Sequence, residues 1–233
     1  MTSAWRIFSS AGLSALLASG AVAGTVTGTV VVTGVRGAGG NSGVAVWLIP
    51  KSGEAPRNTP GLARMIQHHK QFQPHVLAIQ TGSAVDFPNL DPIFHNAFSN
   101  IDGQPFDVGL YPPGSSRRVV FHKSGIVRVF CNIHASMSAV IVVEDTPWLA
   151  VSNDRGGYTL ANVPPGEYTL NVFYERATRG TLDALTRMVT VGDGRTAIAE
   201  FRISGTGYIA VPHLNKYGRQ YPAEEDGSYG ETK

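Results

Sequence analysis

The chain has 233 residues and a single cysteine. An intramolecular disulfide is therefore excluded. A Cys-x-x-Cys-His haem attachment, a binuclear thiolate-bridged centre and a zinc ribbon are excluded too, because each needs more thiols. Charge is equally sparse: 15% of residues are charged and the formal net charge is +2. No basic run offers a footprint for a polyanion, so no nucleic-acid partner is expected. Histidine is limited to seven residues, too few for the several clusters of a multi-metal oxidase. No apolar run is long enough to span a bilayer, so no stable membrane span is expected in the mature chain.

What the sequence does contain points to an all-β protein. There are 27 glycines and 14 prolines, and they separate short runs rich in Val, Ile and Thr. The length allows one or two domains with a real core. At the N-terminus, Arg6 supplies a positive charge, Ala11 to Ala23 is apolar, and Ala21-Val22-Ala23 has the small-x-small form of a cleavage site. Residues 1–23 are expected to be a signal peptide, cut near Ala23, which places the mature protein in the periplasm or otherwise outside the cytoplasm. Export makes the lone cysteine informative. An odd thiol in an oxidising compartment needs a use, and metal coordination is one.

That use is suggested by Cys131-Asn132-Ile133-His134-Ala135-Ser136-Met137. A thiolate, an imidazole and a thioether at three-residue intervals on one short stretch suit a soft metal such as copper. With seven His and four Met in the chain, this spacing follows a given Cys by chance roughly once in two thousand trials. A trigonal copper site needs a second imidazole, which must come from elsewhere. His95 is the best candidate. It closes Phe87-Pro88-Asn89-Leu90-Asp91-Pro92-Ile93-Phe94-His95, just after an expected strand.

Strands are expected over Thr25–Thr33, Val44–Ile49, Val76–Ile79, Ala84–Phe87, Arg118–Phe121, Ile126–Phe130 and Ala139–Glu144. Thr59 and Pro60 read as the N-cap and first position of a short helix running to Lys70. On such a helix His68 and His69 would point in different directions and would not readily share an ion. His75 and His122 read as structural or solvated, and His213 has no evident partner. After Asp145-Thr146-Pro147 a second strand series follows: Leu149–Val151, Tyr158–Leu160, Glu167–Tyr174, Arg187–Val191 and Thr196–Ile203.

Several segments together resemble the cupredoxins of the plastocyanin and amicyanin type. They are Phe72-Gln73-Pro74 leading to Thr81-Gly82, Val85-Asp86-Phe87-Pro88-Asn89, His95-Asn96, and Gly125 through Phe130 entering the Cys131 loop. The Cys-x-x-His-x-x-Met spacing is that of amicyanin. The resemblance covers residues 72 to 144, about a third of the chain. It implies a Greek-key β-sandwich holding one type 1 copper ion on His95, Cys131, His134 and Met137. It also implies that Asn96 ties the His95 loop to the Cys131 loop, and that His134 is where electrons leave toward a transient redox protein partner. Four protein donors leave no open position for substrate, so no catalytic residues and no enzymatic activity are expected.

A second resemblance lies in Val151-Ser152-Asn153-Asp154-Arg155-Gly156-Gly157-Tyr158-Thr159-Leu160 and Val163-Pro164-Pro165-Gly166-Glu167-Tyr168-Thr169-Leu170. It is to the carboxypeptidase regulatory-like, transthyretin-type β-sandwich, and it implies a fold rather than an activity. Residues 24–50 then have two claimants. The sequential arrangement is favoured: a copper domain over 24–145, the smaller sandwich over 146–205, and an extended, partly disordered tail over 206–233. The alternative gives 24–50 to the second sandwich, with the copper segment inserted into it. The functional expectation is an exported one-electron carrier. Its rival is a non-enzymatic copper-handling or envelope interaction protein.

Overall fold

A computed structural model describes residues 23–34, 40–53, 55–56, 59–206 and 213–222. The expected signal peptide lies almost wholly outside the described residues. Among them no helix is long and apolar enough to cross a membrane.

The described residues open with two strands, β1 (Gly24–Thr33) and β2 (Ala45–Pro50). β1 is a β-branched run that turns Val26 and Val30 inward. The chain then makes a long excursion through β3 (Leu62–Arg64), β4 (Ile66–His68), β5 (Gln71–Gln73), β6 (Val76–Gln80), β7 (Ala84–Pro88), β8 (Phe98–Ser99), β9 (Phe106–Asp107), β10 (Ser116–Val120), β11 (Gly125–Phe130) and β12 (Ser138–Glu144). It returns as β13 (Leu149–Val151), β14 (Gly157–Val163), β15 (Gly166–Phe173), the short helix α1 (Arg179–Leu185), β16 (Arg187–Val191), β17 (Arg195–Ala197) and β18 (Phe201–Ser204).

Strand pairing divides these elements into two units. In the outer unit β1 lies between β14 on one side and, on the other, β17 and β18, both parallel to it. A second sheet runs β13-β2-β15-β16. The two sheets enclose Val26, Val30, Leu48, Leu160, Leu170 and Phe201. The inner unit sets the sheet β10-β7-β3 and the ribbon β4-β5 with the sheet β6-β12-β11-β8-β9. Its core includes Phe87, Tyr111, Phe121, Val129 and Ile141.

The favoured sequential arrangement is corrected by this pairing. Residues 24–33 pair with 157–163 and with 195–204, and residues 45–50 pair with 149–151 and 166–173. Among the described residues no strand pairing joins them to the strands between. The fit is visible at Gly28, which sits opposite Tyr158. A side chain there would run into the tyrosine ring, so the glycine suits the pairing of β1 with β14.

β12 carries the contact between units. Its residues Ala139, Ile141 and Val143 face the inner core, while Val140 and Val142 join Ala45, Val76 and Phe173 in a separate cluster. A strand covered on both faces needs apolar residues at every position, which explains the unbroken Ala-Val-Ile-Val-Val of 139–143.

The expected helix from Thr59 to Lys70 is also replaced. The segment forms β3, β4 and the turn into β5. Met65 and Gln67 are fully buried, with exposed Arg64 before them and half-buried Ile66 and His68 at the alternate positions, a two-residue period rather than a helical one. β3 pairs in parallel with β7, and the Met65 N–H donates to the Asp86 carbonyl at 2.9 Å. Pairing to an existing strand outweighs a weak local helix preference. The expected strand Thr196–Ile203 is split, because the chain steps off β1 between β17 and β18.

Candidate metal centre

The hairpin β11–β12 places the first donor. Phe130 and Ser138 are its last cross-strand pair, so residues 131–137 form the connecting loop. Two backbone bonds close it: Cys131 N–H to the Met137 carbonyl and Met137 N–H to the His134 carbonyl, both 3.2 Å. Three-residue spacing thereby becomes spatial proximity. Cys131 and Met137 are fully buried in the inner core, and His134 is half-buried.

His95 comes from the connection between β7 and β8. Its backbone exchanges two hydrogen bonds with Tyr111, at 3.2 and 2.8 Å, which fixes the loop beneath the Cys131 hairpin. The His95 side chain is fully buried. Its Nδ1 lies 3.8 Å from the Cys131 Sγ, and the His134 Nδ1 lies 3.7 Å from the same sulfur. The three donor atoms are all within 4.8 Å of one another. The two imidazoles meet edge to face with centroids 4.8 Å apart. Among the described residues this is the group of His, Cys, Asp and Glu that gathers in this way.

The spacing fits one ion. Bonds of about 2.3 Å to sulfur and about 2.05 Å to nitrogen, opened to about 120°, put S and N about 3.8 Å apart, whereas a tetrahedral angle gives about 3.6 Å. The observed 3.7 and 3.8 Å fall within this range. Donor chemistry agrees with the geometry. Burial raises the Cys131 thiol pKa, although backbone N–H groups of Asn96, Ile133 and His134 work against it. A thiolate in this pocket therefore needs a cation beside it.

The surroundings fix the donors. The His95 Nε2 is 2.7 Å from the Asp91 Oδ2, and both side chains are buried. Burial alone would raise the Asp91 pKa, but the N–H groups of Lys70 and His69 and the His95 ring outweigh it and hold the carboxyl below its ordinary range. An ionised carboxylate only accepts, so the His95 Nε2 carries the hydrogen and donates. Burial also lowers the His95 pKa, with Asp91 opposing. With the hydrogen on Nε2, a neutral ring turns its Nδ1 lone pair toward the Cys131 side.

Asn96 links the two loops, as the resemblance implies. Its Oδ1 accepts from the Asn132 N–H at 2.5 Å, and its Nδ2 donates to Asp107 at 3.2 Å. The C-terminal stretch 213–222 forms a further support that the sequence did not indicate. His213 stacks on Phe130 with centroids 3.9 Å apart, and its ring Nε2 lies 3.0 Å from the Ala135 carbonyl. The Lys216 N–H donates to Asn132 Oδ1 at 3.0 Å, and the Tyr221 hydroxyl donates to the Cys131 carbonyl at 2.9 Å.

The remaining histidines lie elsewhere. His68 and His69 do not diverge as on a helix but stack with centroids 3.8 Å apart. His75 pairs with Glu175 across the two units at 2.9 Å. The His122 backbone N–H donates to Gln104.

No protein-family profile matches the chain. A stretch of 68 residues is 35% identical to the methylamine utilization protein MauL of Methylorubrum extorquens, covering 29% of this chain. The chain spans 60% of that relative's length. Similar solved structures include a Cu-containing nitrite reductase from Thermus scotoductus, 27% identical over 41% of this chain and 25% of that one, with a TM-score of 0.35. A purple cupredoxin from Nitrosopumilus maritimus is 22% identical over 35% of this chain and 98% of its own, with a TM-score of 0.32. A reduced tryptophan-to-tyrosine mutant of amicyanin is 16% identical over 42% of this chain and 98% of its own, with a TM-score of 0.33.

Proposed function

We propose that His95, Cys131, His134 and Met137 hold one type 1 copper ion and that the protein is a one-electron carrier with no enzymatic activity of its own. The observation that carries this reading is the convergence of one buried sulfur and two imidazole Nδ1 atoms, each nitrogen within 3.8 Å of the sulfur. Copper held there would supply a one-electron couple between Cu(I) and Cu(II).

The protein residues do the rest. Cys131 gives the anionic donor, and the N–H groups around it stabilise that charge. His95, buried and hydrogen-bonded, is an immobile donor. Met137, the expected axial donor, closes the loop through its backbone. A donor set anchored by this many hydrogen bonds changes little between oxidation states. His134, half-buried beside Ile133, which is 41% exposed, is the exit toward a partner. Phe94, next to His95 in sequence, is 50% exposed. Exposed apolar side chains of this kind suit brief encounters with a redox protein. The outer unit, with its paired four-stranded sheets, is read as the carboxypeptidase regulatory-like sandwich, and the N-terminal sequence supports export.

Copper loading followed by optical spectroscopy tests the reading. Intense visible absorption from a Cys131 thiolate–Cu(II) bond is expected, and Cys131→Ser abolishes it. Met137→Gln keeps the ion and changes the potential. A colourless protein after Cu(II) loading, with Cys131 still open to thiol reagents, would refute the assignment.

A further inference from the structure

We infer that Asp91 is a positioning residue for the metal centre: its buried carboxylate fixes the His95 ring with Nδ1 toward Cys131 and favours the higher charge state of the bound ion. This rests on the copper reading above. The geometry is that of a carboxylate–histidine–metal relay. The Asp91 Oδ2 accepts from Nε2 at 2.7 Å on one side of the ring, while Nδ1 faces the Cys131 sulfur on the other. A negative charge delivered through the far ring nitrogen makes the near one a stronger donor.

The charge is itself built in. The Asp91 carboxylate receives the backbone N–H groups of His69 and Lys70 at 2.6 and 2.9 Å. Both residues have φ of 54°, an uncommon conformation outside glycine. It turns consecutive N–H groups toward one point and makes an anion-binding concavity. The Asp91 N–H in turn donates to Asn89 Oδ1 at 3.1 Å. The turn between β4 and β5 thus reaches the centre through two side chains, first Asp91 and then His95.

A purely structural role would give a different result from this one, and the two can be separated with Asp91→Asn. The amide keeps the shape and can still accept from Nε2 but carries no charge. Loss of such an outer partner costs about 10- to 100-fold in metal affinity, and the anionic acceptor matters most for Cu(II). The expected result is therefore at least a tenfold fall in the ratio of Cu(II) to Cu(I) affinity, a rise of about 59 mV in midpoint potential for one electron. Nitrogen-15 NMR of the metal-free protein provides the second readout: His95 is expected to carry its hydrogen on Nε2. An unchanged affinity ratio in Asp91→Asn, with only stability lost, overturns the inference, and so does an Nδ1–H tautomer in the metal-free wild type. If the wild type takes up no thiolate-coloured copper, the copper reading fails and the charge-state claim fails with it. The NMR result still decides whether Asp91 orients the ring.

Discussion

Asn96→Ala removes the bond between the two loops that carry the donors, and its cost can be estimated from the contacts. Asn96 is buried. Its Oδ1 is the acceptor for the N–H of the half-buried Asn132, which loses that partner in the variant. An unsatisfied buried donor costs about 1–3 kcal/mol. The Asn96 Nδ2 bond to Asp107 adds less, because Asp107 is exposed and retains the Gly109 N–H at 2.9 Å and the Lys216 ammonium at 2.7 Å. A net loss of about 2 kcal/mol is expected. With a urea m-value of about 2 kcal/mol/M, the unfolding midpoint of the metal-free protein falls by about 1 M. Asn96→Asp sharpens the test. It keeps the acceptor but sets a second carboxylate where Nδ2 now meets Asp107 at 3.2 Å. Two carboxyls so close raise one folded pKa above its unfolded value. The stability deficit of this variant therefore grows as pH rises from about 4 through that raised value. Equilibrium urea titrations at several pH values measure both effects. A loss under about 0.5 kcal/mol in Asn96→Ala, together with a pH-independent loss in Asn96→Asp, would contradict the tie between the loops.

Two further outcomes follow from contacts away from the centre. Glu175 raises the His75 pKa above 6.5, and Glu175 falls below 4.5 with His75 among the causes, against its own burial. The His75 contribution is complete below its unfolded pKa and fades as pH rises through the folded one; that of Glu175 is complete above 4.5 and fades on acidification. His75→Gln should thus destabilise most between 4.5 and 6.5, by under about 1 kcal/mol because the ring is half-exposed, and little by about pH 9; a thermal melt series that shows a constant difference contradicts the pairing. Gly156→Ala should cost at least about 2 kcal/mol, because φ is +82° and a methyl group would run into the Val30 carbonyl; an unchanged melting temperature would mean that β1 and the 153–157 turn are not packed as described.

Where the sequence was readable, the determinants were local. Cys131, His134 and Met137 lie within one hairpin loop, so spacing alone brought them together. The strands of the second series are bounded by turns such as Asn153, whose Oδ1 accepts from the Arg155 and Gly157 N–H groups. The partners of β1 were not readable in this way, because a β-branched run pairs with whatever edge the rest of the chain presents. The segment 59–70 misled because Thr59-Pro60 is a good helix start, while the competing edge of β7 lies many residues away. Asp91 carried no local mark either. Its position four residues before His95 becomes meaningful only when the His69–Lys70 turn closes over it. The strap at 213–222 was equally silent, since its contacts are isolated ones to residues about 80 to 110 positions earlier: a ring on Phe130, an ammonium on Asp107, and single hydrogen bonds to Cys131, Asn132 and Ala135.

Because the excursion lies between β2 and β13, the two units cannot assemble in the order in which they are written. β13 pairs with β2 directly, Leu149 opposite Trp47, so the inner unit leaves and re-enters the outer one at adjacent points. Its own strands pair among themselves. They can close as soon as β12 has been made. β1 must wait: Thr27 meets Arg195 across 168 residues of chain. Contacts of such long range are slow to form. Of the described strands, β1 is thus the earliest in the chain yet is completed only when β17 and β18 pair beside it, after β14 has paired on its other side.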